Sequence, residues 1–189
     1  LRDDLRPEAK PAVAALRRAG IQTVMVTGDS RETACAIARE AGVLLPGEEG
    51  TGVITAAELE RLPDDALRAR LPALRVVARA VPTDKSRLIR VSQQAGLVVG
   101  MTGDGVNDAP ALKVADVGFA MGSGTVVARE AGDIVILDDN IASIVRAVLY
   151  GRTIFKSIRK FLVFQLTMNL CAVGVSLFGQ FIGIESPVT

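Results

Sequence analysis

The chain has no histidine and no tryptophan, a single tyrosine, and aromatic residues at only 4%. The missing histidine argues against imidazole acid–base catalysis and against a zinc site. Few aromatics leave no platform for stacking bases, and a formal net charge of +1 sets up no strong field, so no nucleic-acid partner is expected. Cysteine is scarce too. Cys35 and Cys171 are the only two, and they fall in segments assigned below to the cytosol and the membrane. A disulfide is therefore not expected, and both read as small buried apolar side chains. The first residue is Leu1 rather than Met, so the chain reads as cut from something longer.

Charge is locally absent as well. Residues 161–184 contain no Asp, Glu, Lys or Arg. At 1.5 Å per residue these 24 positions make about 36 Å of helix, enough to cross a hydrocarbon core with some tilt. The preceding flank carries Arg152, Lys156, Arg159 and Lys160, whereas only Glu185 follows. The positive-inside tendency places residues 1–160 on the cytoplasmic side.

Residues 1–160 alternate short apolar runs with helical patterns. Helices are expected at 6–19, with Pro7 near the start and Gly20 past the end, and at 31–41, closed by Gly42; others are expected at 84–94 and 109–115. Strands are expected at 22–26, 76–79, 97–101 (buried), 117–120 and 133–137. Residues 46–72 read as loop-rich, with short helices near 56–61 and 64–70, and a last helix runs from 141 into the apolar segment. Strand–loop–helix units in series imply a parallel α/β sheet with right-handed crossovers, whose ligands bind at the carboxyl ends of the strands.

The loops at those ends hold the polar residues. Thr102 to Asp108 reads Thr-Gly-Asp-Gly-Val-Asn-Asp: the glycines allow close approach to an anion, and Asp104 and Asp108 are hard oxygen donors suited to Mg²⁺. The same residues also suit a Gly/Asn/Asp-rich turn with an Asp helix cap. Thr27, Gly28 and Asp29 repeat the arrangement after an earlier strand, where a hydroxyl and an N–H can hold phosphate oxygens; a capped turn is the other reading. Lys85 sits in a helix's first turn, where a cation opposes the macrodipole unless it faces an anion; otherwise it is a solvated surface lysine. Together a hydroxyl, a lysine and an Asp pair at successive strand ends form the polar half of a phosphoryl-transfer site. No residue is clearly placed as its nucleophile.

Four stretches, in order, resemble the haloacid-dehalogenase-like phosphorylation domain of P-type ATPases: Met25 to Asp29, Ala78 to Lys85, Met101 to Lys113 and Ala115 to Gly122. The resemblance implies an incomplete Rossmann-type parallel sheet over 1–140, a stalk helix over 141–160, a transmembrane helix over 161–184 and the start of an extracytoplasmic loop at 185–189. It implies Mg²⁺ and ATP as cofactors. Thr27 would bind the aspartyl phosphate and Gly28 would line its pocket. Asp29 would contact nucleotide or the hinge, and Arg79 would lie near the nucleotide. Lys85 would neutralise phosphate charge. Asp104 would ligate Mg²⁺, with Asn107 and Asp108 completing the site. The family's nucleophile lies in an Asp-Lys-Thr-Gly motif that is absent here, as are the actuator and nucleotide-binding domains, so the chain alone is expected to be inactive.

The stretch from Phe161 to Asn169 resembles the fifth transmembrane helix of plasma-membrane-type calcium pumps, with Asn169 at the position of an ion-pathway amide. The sarcoplasmic-reticulum type carries a glutamate one position beyond Cys171, where this chain has Ala172; this favours one calcium site over two. The implied protein is a multi-pass cell-membrane pump whose partners are Ca²⁺, the lipid bilayer and the missing segments of its own polypeptide. A pump for Mn²⁺, Na⁺, K⁺ or H⁺ and a non-catalytic remnant are the alternatives. A membrane-anchored soluble-type phosphatase would need its own upstream Asp-x-Asp.

Overall fold

The structure is a computed structural model and describes residues 5–181, with side chains to residue 179. By compactness it divides into residues 1–145 and 146–189. The expectations for residues 182–189, the end of the membrane segment and the following loop, lie outside the described residues.

The first unit contains two parallel sheets. One has the order β1 (Met25–Val26), β3 (Val76–Ala78), β2 (Val53–Thr55). The other has the order β4 (Gly100–Gly103), β5 (Val117–Met121), β6 (Ile134–Ile136). β3 is central in the first, with Val76 opposite both Met25 and Val53. Strand alternation then sorts side chains onto two faces. Val53, Val76 and Ala78 join Ala34, Cys35 and Ala38 of helix α2 (Arg31–Glu40) in one core. Ile54 and Val77 point the other way, onto Leu59, Leu67, Leu88 and Val91. Those four come from α4 (Ala56–Arg61), α5 (Asp64–Arg70) and α6 (Pro82–Gln94). Burial on both faces explains why these strands are apolar without alternation. In the second sheet, α7 (Ala109–Val114) and α8 (Val126–Ala131) bring Ala109, Leu112, Ala128 and Ala131 together beside Met101.

Local chemistry accounts for the helix ends. Helix α1 (Ala9–Arg18) closes with Ile21 N–H on the Leu16 carbonyl at 2.9 Å and Gly20 N–H on Arg17 at 3.0 Å; Gly20 has φ +74°. This is the Schellman pattern, and Gly42 repeats it after α2. Thr55 and Glu58 form a reciprocal capping box at the start of α4, with the Thr55 N–H 2.6 Å from the Glu58 carboxylate.

Several expectations are corrected. The single sheet is two three-stranded sheets. Residues 46–72 are not only loop and the two expected helices: they also hold a short helical turn, α3 (Glu49–Gly52), and the strand β2. Helix α8 was not expected. The run at 97–101 is not a buried strand: the strand starts at Gly100, and Leu97 and Val98 are 51% and 85% exposed. Its physical reason is that β4 is an edge strand, paired on one side only. Cys35 is buried as expected, but Cys171 is exposed; both are free thiols.

Helix α9 is continuous over Ile141–Phe181. It is long and apolar enough to cross a membrane, with a mean hydropathy of 1.9 in its most apolar window. The hydroxyls of Thr153, Ser157 and Thr167 turn back onto the helix, the last to the Val163 carbonyl at 2.8 Å.

Candidate functional site

β1, β3 and β4 end at the loops that carry the polar residues. After β1, the Thr27 hydroxyl donates to the Asp29 carboxylate at 2.8 Å, and the Asp29 N–H returns to the Thr27 oxygen at 3.2 Å. The loop after β3 locks onto this turn: the Ala80 N–H donates to the Thr27 carbonyl and the Arg79 N–H to the Asp29 carbonyl, both at 2.9 Å. Arg79 makes this bond with φ +56°, a left-handed conformation unusual for a residue with a Cβ. Its side chain is exposed. Gly28 lies on the same seam, where an added Cβ would stand 3.9 Å from the Ala80 carbonyl.

Lys85 lies four residues into α6. Its ammonium is 2.5 Å from Oδ1 of Asp108. Both side chains are largely withdrawn from solvent, at 19% and 11% exposure, so Lys85 is not a solvated surface lysine. Asp108 lies at the junction between a 3₁₀ turn, Val106–Asp108, and α7. Its other oxygen faces the N–H groups of Asp104 and Gly105, both at 3.4 Å. Gly103 makes this approach possible: an added Cβ would fall 2.5 Å from the Asp108 Cβ. Asp104 is exposed, and its carboxylate makes no hydrogen bond or ion pair among the described residues. Asn107 is exposed beside it.

The structure thus brings Lys85, Asp108 and Asp104 together directly. Thr27, Gly28, Asp29 and Arg79 are knit into one adjoining pair of loops, and the second of these leads into α6. The donor set suits Mg²⁺: the Asp104 carboxylate is uncommitted, and the charge of Asp108 is already balanced by Lys85. Among the described residues no three acidic or thiol groups gather as a ligand set, so other oxygens would complete the coordination. Asn169 belongs to the second unit, on α9, where the Gln165 amide reaches its Oδ1 at 3.5 Å, one turn away. The Lys85–Asp108 pair was not legible from sequence, because its members are 23 positions apart.

Residues 1–116 match the family model of haloacid dehalogenase-like hydrolases. The calcium-transporting ATPase PAT1 of Dictyostelium discoideum is 52% identical over 95% of the chain and 16% of its own length. Plasma membrane calcium-transporting ATPase 1 of Homo sapiens is 48% identical over the whole chain and 16% of its own length. Plasma membrane calcium-transporting ATPase 4 of Bos taurus is 46% identical over the whole chain and 17% of its own. The chain therefore spans about one sixth of these relatives. Among solved structures, a zinc-transporting PIB-type ATPase in its E2.Pi state superposes with TM-score 0.70 at 29% identity, covering 97% of this chain and 24% of that one. The catalytic domain of the CPx-ATPase CopB-B gives 0.58 at 25% identity, covering 78% of this chain and 46% of that one. The chain belongs to the haloacid dehalogenase-like hydrolase family, and within it stands with the P-type ATPases.

Proposed function

We propose that the chain is part of an ATP-driven calcium pump: the magnesium-binding portion of its phosphorylation domain (1–140), a stalk (141–160) and a membrane helix (161–184). The observation that carries this is the Lys85–Asp108 contact beside the uncommitted Asp104 carboxylate, at the carboxyl ends of parallel strands. It is supported by 46–52% identity to calcium-transporting ATPases.

In this reading the nucleophilic aspartate lies upstream, outside the chain, and the chain's residues serve the transferring group. Thr27 turns its hydroxyl from Asp29 to a phosphate oxygen, and Gly28 lets the backbone approach. Lys85 supplies positive charge, held in place by Asp108. Asp104 presents its carboxylate to the metal, and Asn107 and Asp108 complete the site. Mg²⁺ bound there would neutralise charge on the phosphoryl oxygens. Asp29 and Arg79 hold the nucleotide side of the site. Asn169 offers an amide oxygen to the transported ion within a multi-pass cell-membrane protein. Residues 1–160 face the cytoplasm.

In the complete protein, Asp104→Asn should abolish calcium-dependent ATP hydrolysis while leaving the protein in the membrane. Undiminished turnover in that variant contradicts the assignment. A pump for another cation is the second reading, favoured by the resemblance to a zinc-transporting ATPase. The lower identity of that match, 29%, makes it the weaker one.

A further inference from the structure

The turn between β6 and α9 divides its three polar residues between two tasks. Asp138 and Asn140 serve the helix: Asp138 accepts the Ser143 hydroxyl at 2.6 Å, and Asn140 Oδ1 accepts the Ala142 N–H at 2.9 Å. Asp139 serves a different loop. Its Oδ1 accepts the Ser123 N–H at 3.1 Å, and its carbonyl accepts a guanidinium N–H of Arg6 at 2.7 Å. Its backbone is left-handed, at φ +50°, a conformation that Asp tolerates better than most residues. The Ser123 hydroxyl and N–H, helped by the Gly122 N–H and the Arg6 charge, hold its carboxyl below the usual range.

The loop Asp139 grips, residues 122–125, is wedged at both ends. At one end the Gly122 N–H donates to the Ile136 carbonyl at 2.8 Å, and a Cβ on Gly122 would lie 2.9 Å from the Leu137 Cα. At the other, the Thr125 N–H donates to the Asp104 carbonyl at 2.8 Å. A Cβ on Gly124 would lie 2.8 Å from that same oxygen and 3.0 Å from the Asp104 Cα. No slack separates the backbone of Asp104 from the residue that precedes the capped first turn of α9. Close-packed backbone of this kind passes on displacement instead of absorbing it.

We propose that Asp139 is a positioning residue that couples the backbone of Asp104, through residues 122–125, to the first turn of α9. A shift at Asp104 during phosphoryl transfer is thereby delivered to the start of the helix that carries Asn169. This rests on the calcium-pump reading above.

The test uses the complete pump in membranes and measures two quantities: phosphoenzyme formed from labelled ATP, and calcium moved per ATP hydrolysed. Asp139→Gly removes the carboxylate but keeps the left-handed backbone. Asp139→Asn keeps both the backbone preference and an acceptor oxygen. We expect Asp139→Gly to form phosphoenzyme at near wild-type level while calcium per ATP falls severalfold, and Asp139→Asn to restore the ratio. Ser123→Pro deletes the same hydrogen bond from the donor side and must lower the ratio likewise, which covers the case in which the glycine variant fails to reach the membrane. A wild-type ratio in either bond-deleting variant overturns the coupling role. Wild-type protein whose phosphorylation ignores calcium overturns the pump reading instead.

Discussion

The Lys85 ammonium lies 2.5 Å from the Asp108 carboxylate, joining the helix that follows β3 of one parallel sheet to the loop that follows β4 of the other. The contact resolves the misfit of a cation in a helix's first turn, because the anion beside it outweighs the macrodipole. Removing one partner leaves the other charge withdrawn from water and uncompensated, at a cost of up to about 3 kcal/mol for a pair this buried. Lys85→Met in the complete protein should lower the thermal midpoint and cut phosphoenzyme formation by at least about tenfold, as loss of a charge aimed at a transferring phosphate does. Lys85→Arg should recover stability better than phosphorylation, since its planar fork does not place charge where an ammonium does. Thermal inactivation and labelling from ATP check both halves.

Gly103 touches the site without contributing a side chain to it. A methyl there meets Asp108 at 2.5 Å, and Asp108 is also held by Lys85. Gly103→Ala should displace the Asp108 carboxylate at a cost of about 1–3 kcal/mol of overpacking. Phosphorylation should fall well before membrane levels do. Unchanged phosphoenzyme in this variant contradicts the packing described here.

The Thr27 hydroxyl has a partner in Asp29, so the two residues are predicted to fail differently. Thr27→Val removes the hydroxyl and should reduce phosphoenzyme formation by roughly 100- to 1,000-fold, the range for a lost donor to a developing charge. Thr27→Ser should keep most activity. Asp29→Asn still accepts the hydroxyl, so it should weaken ATP binding while sparing the maximal phosphorylation level. Titrating labelled ATP against each variant separates the two effects.

The capping box at α4 carries a pH dependence. The Glu58 carboxylate accepts the Thr55 N–H and hydroxyl and lies near Arg31 and Arg70, with the backbone bond contributing most, so its pKa is below the ordinary 4.5. A depressed carboxylate stabilises the fold above its unfolded pKa, and that contribution is lost as pH falls through the lower, folded value. The difference in thermal midpoint between wild type and Glu58→Gln should therefore be full at neutral pH and shrink under acid. A difference that persists in acid would show that packing, not charge, supports this helix.

The sequence made some of this visible and hid the rest for physical reasons. Helices α4 and α5 were legible because each opens on its own start signal, Thr55-x-x-Glu58 or the acidic pair Asp64 and Asp65. β2 was not, because Val53-Ile54-Thr55 is too short to show a period and is preceded by two glycines. Helix α8 escaped for a related reason: six residues give less than two turns of pattern, although Thr125 caps it. Leu97 and Val98 were read as strand because apolar β-formers attract that assignment; that β4 lacks a neighbour on one side is a tertiary fact. At the site, Thr27, Asp104 and Asp108 stood out because polar residues follow apolar runs at strand ends. The Lys85–Asp108 pair and the Asp139–Ser123 bond join positions 23 and 16 residues apart, and no local pattern announces either.

The central claim is that these residues serve an aspartyl-phosphate site driven by calcium. The most direct measurement is phosphoenzyme formation from labelled ATP by the complete protein in membranes, titrated with Ca²⁺, Mn²⁺ and Na⁺. The account predicts acid-stable label that appears at low Ca²⁺, is removed by hydroxylamine and is absent from Asp104→Asn. Label that ignores Ca²⁺ and follows another cation would contradict the calcium assignment and the role given to Asn169; no label under any cation would contradict the phosphoryl-transfer site itself.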